Sequence, residues 1–319
     1  MDNKTVVAFG EIMLRLTPPD SILNATQFGA SYGGSESNVL VALSCLGNAT
    51  RYLTKLPDND LGRGAVLHLQ RYGVDCSQVI SAGSNMGMYF FEPGFATRPA
   101  KVIYARKHAE ITTLQASDIN YEKALADCAV LHISGISFAL SPSVEAVCFR
   151  LLQEAKKRRI PVSFDFNYRA KLWTVAEAAA VYRRIIPYAD IVFCSRRDLT
   201  AFLDVTRENF FDSYGNVEYL VVRERDILSG DTHKIRAEVY TKTGSVAATE
   251  KEFAVLERIG GGDAFAAGFL HGWLHFAGDM ARTLAFAADC IALKHGVRGD
   301  VLAARQEEIE TSDCKDVRR

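Results

Sequence analysis

Apolar positions along this chain follow two rhythms, and the change falls near Asp127. Before it, a short apolar run, Val6-Val7-Ala8-Phe9, ends at Gly10 and predicts a buried strand. Over residues 11–16, Ile12, Leu14 and Leu16 alternate with Met13 and Arg15, which predicts a strand with one face exposed, and Pro18-Pro19-Asp20 ends it. Residues 27–32, 86–92 and 101–106 read as further alternating strands. Together these segments, from about 11–34 and 86–110, predict one small sheet with a wet face, suited to a lid over a site or to a dimer contact. Helical spacing marks residues 39–46 and 64–72, with a strand at 51–54 between them. After Asp127, apolar strands at 130–134, 162–165, 191–194 and 220–223 alternate with helical segments at 142–158, 175–186 and 197–203. That order predicts an α/β fold with a doubly wound, mostly parallel sheet flanked by helices. Residues 227–250 predict an added hairpin around Lys242-Thr243-Gly244-Ser245, and the charged tail, 307–319, is expected to fray.

Composition narrows the class. A chain of 319 residues with 48% hydrophobic and 24% charged positions suits a globular protein with ample core, taken here as one domain, 1–319. Net charge is −1, and Lys156-Lys157-Arg158-Arg159 reads as a solvated helix end, so nucleic-acid binding has no electrostatic support. The seven cysteines are odd in number, scattered and free of any Cys-x-x-Cys pair, which fits a reducing cytoplasm. The amino-terminal strand is too short for a signal peptide or membrane span.

Candidate chemistry concentrates where three glycines, Gly260, Gly261 and Gly262, run into Asp263 and an apolar helix carrying Phe265, Phe269, Leu270, Trp273 and Leu274. A glycine turn at a helix start directs backbone N–H groups and the positive dipole end at an anion. Asp is also a favoured helix cap, so a plain capped turn accounts for the same residues. A carboxylate beside an anion site makes chemical sense if an acceptor hydroxyl sits between them and gives up its proton. The pattern is not Gly-x-x-x-x-Gly-Lys-Ser/Thr, and no Gly-x-Gly-x-x-Gly follows the first strand, where Phe9-Gly10-Glu11-Ile12 stands; a nicotinamide oxidoreductase therefore fails. Ligands of doubly wound sheets bind at the carboxyl ends of strands, where Asp165, Asn167, Arg169 and Ser195 lie.

The Gly260–Asp263 stretch resembles the second signature of the ribokinase-like (PfkB) sugar kinases, and Gly33-Gly34-Ser35-Glu36-Ser37-Asn38 resembles their first. Three longer stretches, residues 9–19, 165–173 and 292–300, are similar to one branch, the 2-keto-3-deoxygluconate kinases, so the resemblance spans nearly the full length. It implies ATP-dependent phosphorylation of a terminal sugar hydroxyl with Mg²⁺, Asp263 as base and the amides of Gly260, Gly261 and Gly262 as an anion hole. Gly34 and Asn38 would touch sugar hydroxyls, Tyr89, Tyr104, Arg106 and Arg169 the keto acid, and Asp300 a hydroxyl. An Arg fork suits a carboxylate because it binds both oxygens; the tyrosines also fit ordinary sheet positions, and Arg106 a surface charge. Asn167, Ser195, Arg223 and Arg225 are assigned to the nucleotide. This chain departs from the pattern at Glu257-Arg258, where many members have Asp-Thr, at Ala105 and Ala109-Glu110, at Ser195-Arg196-Arg197-Asp198, and at Arg223-Glu224-Arg225-Asp226, which lacks the usual Gly-x-x-Gly turn. A small sugar-acid substrate and a homo-oligomer, dimeric through the lid or higher, are the expected partners. Two other readings stay open: the same chemistry on a neutral sugar such as fructose, and a non-catalytic sugar-acid sensor on the same fold.

Overall fold

The computed structural model describes residues 5–94, 98–248 and 250–311. Its strands are β1 (Thr5–Phe9), β2 (Met13–Thr17), β3 (Gly29–Gly33), β4 (Thr50–Leu56), β5 (Val79–Ser81), β6 (Met88–Glu92), β7 (Lys101–Ala105), β8 (Cys128–Ser134), β9 (Val162–Asp165), β10 (Ile191–Cys194), β11 (Tyr219–Ile227), β12 (Thr232–Thr241), β13 (Gly244–Ala247) and β14 (Lys251–Ala254). The principal helices are α1 (Ser35–Cys45), α2 (Asp60–Arg71), α3 (Pro142–Arg158), α4 (Val175–Ile185), α5 (Gly261–His275) and α6 (Met280–His295).

Ten strands form the main sheet in the order β13-β12-β11-β10-β9-β8-β1-β4-β5, with β14 also on β12. From β5 to β11 every pairing is parallel, and β12 to β14 add antiparallel pairs at one edge. Strands such as Val6–Phe9 and Ile191–Cys194 are uniformly apolar because helices cover both sheet faces. One core cluster joins α1, α5 and α6 to the sheet, and a second joins α3 and α4 to its other face. The expected hairpin around Lys242-Thr243-Gly244-Ser245 is present as β12–β13, and a second antiparallel pair, β11–β12, precedes it.

Four strands form the separate small sheet, β3-β2-β6-β7, from the predicted segments. Its β2 strand reverses one expectation. Arg15 and Met13 are buried, while Leu14 and Leu16 are half-buried. Charge alone marked Arg15 for solvent, but internal carboxylates hold it, as described below. Two more boundaries differ. The segment expected as one helix at 197–203 begins as a helical turn, Arg196–Asp198, and continues as a π-helix, Leu199–Leu203. Part of the tail expected to fray forms a short helix, Gln306–Glu310, whose Ile309 is buried; residues 312–319 lie outside the described residues. No helix among the described residues is long and apolar enough to cross a membrane.

Candidate active site

The site gathers at the carboxyl ends of the parallel strands, where α1, α5 and the loop after β9 meet. Gly260 stands just before α5 with φ +79°, a left-handed backbone that L side chains resist. A Cβ there would lie 1.8 Å from the Asp300 carbonyl oxygen, and one on Gly261 would lie 2.3 Å from Cε1 of His295. The glycines are thus required by what presses on the turn. No side chain caps α5, so the N–H groups of its first turn, at Gly261, Gly262 and Asp263, have no intrahelical acceptor. A fifteen-residue helix adds its dipole at the same place.

Asp263 is held on both oxygens. Ser35 donates its hydroxyl to Oδ1 at 2.9 Å, and Asn38 donates its amide to Oδ2 at 2.7 Å. Asn167 donates to the Ser35 hydroxyl at 2.6 Å, which leaves that hydroxyl's own proton for Asp263. Asn167 takes a positive φ of 38°, with its N–H on Asp165 Oδ1 at 3.0 Å. Asn38 Oδ1 in turn accepts from the Gly34 N–H at 3.3 Å, which fixes the amide's orientation. Burial pushes the Asp263 carboxyl up to about 6, against the pull of the Asn38 and Ser35 hydrogen bonds and of the Arg169 charge, and with Asp165 adding to the rise. A carboxylate with that value is largely ionised at neutral pH and can accept a proton.

Arg223 reaches across to this turn, donating to the Gly262 carbonyl at 2.7 Å and to Asp165 Oδ2 at 2.9 Å. Both Asn167 and Arg223, assigned from sequence to the nucleotide, are therefore committed to protein groups around the carboxylate. The Ser195 hydroxyl accepts from the Asp198 N–H at 3.3 Å, while Asp198 accepts from the Ser195 N–H at 2.7 Å, so this pair caps its own helical turn. Arg225 is exposed and has no ion-pair partner among the described residues. Among the described residues no three His, Cys, Asp or Glu side chains gather to hold a metal ion.

The small sheet supplies the other wall. Tyr89 donates to Asp300 Oδ2 at 2.5 Å, and Arg15 donates to Asp300 Oδ1 at 2.5 Å and to Glu257 Oε1 at 2.6 Å. Asp300, expected to accept from a sugar hydroxyl, already accepts from these two residues. Arg106 forms an ion pair with the buried Glu11, so the fork expected to meet a substrate carboxylate has an internal partner. Tyr104 is exposed, 6.1 Å from the Tyr89 ring, with the Arg106 and Lys171 cations 5.5 and 5.6 Å from its ring centre. Arg169 is exposed in the loop after β9, near enough to Asp263 to influence its charge.

Residue spacing had not pointed to Ser35, Arg15, Glu11 or Glu257 as site members. Ser35 lies beside Gly34 in a recognised signature, so its place was legible though its role was not. The other three lie in or beside stretches already singled out, residues 9–19 and Glu257-Arg258, but their partners are remote in the chain and no local pattern signals the pairing.

The chain matches the description "pfkB family carbohydrate kinase" over residues 3–220. A 2-dehydro-3-deoxygalactonokinase of Haloferax volcanii is 33% identical over 314 residues, spanning 96% of this chain and 95% of that one. The crystal structure of 2-dehydro-3-deoxygluconokinase from Thermotoga maritima superposes with a TM-score of 0.93 at 33% identity, covering 97% of this chain and 98% of the other. Xylella fastidiosa fructokinase with bound ATP shares the fold, with a TM-score of 0.82 at 21% identity over 97% and 98% of the two chains. The sheet order, the separate small sheet and the glycine turn opening onto a carboxylate define a carbohydrate-kinase class. The chain belongs to the pfkB family of carbohydrate kinases, phosphotransferases that use an alcohol group as acceptor.

Proposed function

We propose that this protein phosphorylates the terminal primary hydroxyl of 2-keto-3-deoxy-D-gluconate, using ATP, to give 2-keto-3-deoxy-6-phosphogluconate. The observation that carries the reading is Asp263, fixed by Ser35 and Asn38 at the uncapped start of α5. The acceptor hydroxyl donates its proton to Asp263 while its oxygen attacks the terminal phosphorus and the bond to the departing ADP oxygen breaks. The proton can leave late in a loose transition state, so a carboxylate near 6 suffices as base. The amides of Gly261 and Gly262 and the left-handed Gly260 turn face the charge on the transferring phosphoryl group. Mg²⁺, when bound with the nucleotide phosphates, offsets part of that charge. Arg225 is the exposed cation on β11 suited to the nucleotide's phosphates.

On the acceptor side, Gly34 and Asn38 border the hydroxyl to be phosphorylated, and Arg169, exposed and without an ion pair among the described residues, can hold the acid's carboxylate. Tyr89 and Asp300 hold the wall, and Tyr104 presents its ring and hydroxyl from the small sheet. The names of the Haloferax and Thermotoga proteins, both kinases of 2-keto-3-deoxy sugar acids, support this acceptor class. One observation favours a second reading, a neutral ketose such as fructose: Glu11 already neutralises Arg106.

The deciding experiment measures ADP release with 2-keto-3-deoxygluconate, its galactonate epimer, gluconate, fructose and ribose, with Asp263→Asn as control. Turnover on a keto acid, with kcat reduced by about 10²-fold or more in Asp263→Asn and KM nearly unchanged, is expected for loss of a general base. Wild-type turnover confined to fructose or ribose would replace the acceptor, and near-normal turnover by Asp263→Asn would remove the base. Arg169→Ala is expected to raise KM for the sugar acid more than for any neutral sugar; equal effects would remove the carboxylate assignment.

A further inference from the structure

Lys294, in the last turn of α6, is 0% exposed. A lysine placed only to complement a helix carboxyl end would extend its stem and leave the ammonium in water. Here the ammonium turns inward and, among the described residues, makes a single hydrogen bond, to the Val297 carbonyl oxygen at 3.3 Å, which leaves two N–H groups without a described partner. The charges facing it are Glu257 and Asp300, the Arg15 guanidinium and Asp263. Glu257 and Asp300 both pair with Arg15, and among the described residues neither forms an ion pair with Lys294. Its stem lies behind the phosphate-facing turn: a Cβ on Gly260 would stand 3.2 Å from Lys294 Cε. Desolvation lowers the ammonium from its usual value, while Glu257, Asp300 and Asp263 act to keep the proton on it.

A buried, singly hydrogen-bonded cation is costly in a protein interior. Its location, against the backbone that faces the developing phosphoryl charge, gives that cost a use. We propose that Lys294 is a positioning residue of the phosphoryl-transfer site, a fixed positive charge behind the Gly260 turn that holds the turn's amides toward the transferring group. The proposal rests on the kinase reading above. The ammonium has no hydrogen bond to Asp263 among the described residues; it acts through the turn and through Glu257 and Asp300, which flank it. A charge that is fixed before the reaction needs no reorganisation when phosphoryl charge develops, which is the condition under which such a group favours the transition state over the bound substrates.

The test compares Lys294→Met, which keeps volume and removes charge, with Lys294→Ala, which leaves room for an added amine. Both variants are expected to lose about 10- to 100-fold in kcat, the lower part of the range for removing a preorganised transition-state group, with KM for the acceptor changed by less than about threefold. Ethylammonium, added to Lys294→Ala, is expected to restore kcat with saturation, while n-propanol at the same concentration does not. Wild-type kcat in Lys294→Met would overturn the proposal. So would a lowered kcat in both variants that tracks lowered thermal stability and shows no amine rescue, since that pattern belongs to a lysine that only neutralises Glu257 and Asp300. A wild-type protein without turnover on any acceptor would overturn the kinase reading and this proposal with it, and that outcome is distinguishable because it appears before any variant is compared.

Discussion

Asp263 shows how a single residue's setting decides its chemistry. An ordinary aspartate is ionised well below pH 5 and is a weak proton acceptor near neutrality. Burial moves this one up to about 6, and its Asn38 and Ser35 hydrogen bonds keep it from rising further. The sign is direct: a base works when deprotonated, so kcat should climb as pH rises through about 6 and level above 7. Asn38→Ala removes a hydrogen bond that favours the charged form, so it should move this acid limb to higher pH. A pH–kcat profile of the two proteins checks both, and an unmoved limb in Asn38→Ala would separate that amide from the carboxylate's titration. Asp263 and Asn38 were legible as motif members. The value near 6 was not, because it depends on burial of the carboxylate and on how Asn38, Ser35, Arg169 and Asp165 come together around it.

At the scale of elements, most of the α/β body was legible. Strands buried on both faces are simple apolar runs, and Val162–Asp165, Ile191–Cys194 and helix Pro142–Arg158 fall where periodicity puts them. The small sheet was harder, since β2 carries its charged residue on the buried side. An alternation rule places Arg15 in water; the tertiary structure places it between Glu257 and Asp300. Arg15→Met should therefore leave two buried carboxylates without their guanidinium and cost about 3–5 kcal/mol of stability, as breaking a buried ion pair does. Urea unfolding measures this, and a loss below about 1 kcal/mol, typical of exposed pairs, would mean that solvent reaches the cluster. The α5 entrance has a different constraint. Gly260→Ala sets a side chain against the Asp300 carbonyl in a left-handed backbone. It should lower both melting temperature and turnover, and unchanged values of both would contradict the turn's geometry.

For the whole molecule, polar contacts that tie the small sheet to the rest include Arg15 with Glu257 and Asp300, Tyr89 with Asp300, Tyr32 with the Leu61 carbonyl and Lys171 with the Val102 carbonyl. Hydrogen exchange across β2, β3, β6 and β7 should accelerate in Arg15→Met more than exchange in β8 to β10, because the lost ties belong to the small sheet. Uniform acceleration would mean that the two sheets open as one unit. None of these ties was legible in sequence, since each joins segments whose spacing carries no pattern.

The span of the Asp263 hydrogen bonds bears on when the protein becomes active. Ser35 and Asn38 meet Asp263 across 228 and 225 positions of chain, and Asn167 joins them from between. Contacts so remote must await closure of very long loops, and such pairings form slowly. During synthesis, the segment bearing Ser35 and Asn38 leaves the ribosome long before its partner carboxylate exists. An early intermediate can thus possess a folded β1–β4 region and still have no base. Recovery of turnover after dilution from denaturant would then lag behind recovery of helical signal, making catalysis a clock for the last docking step of folding.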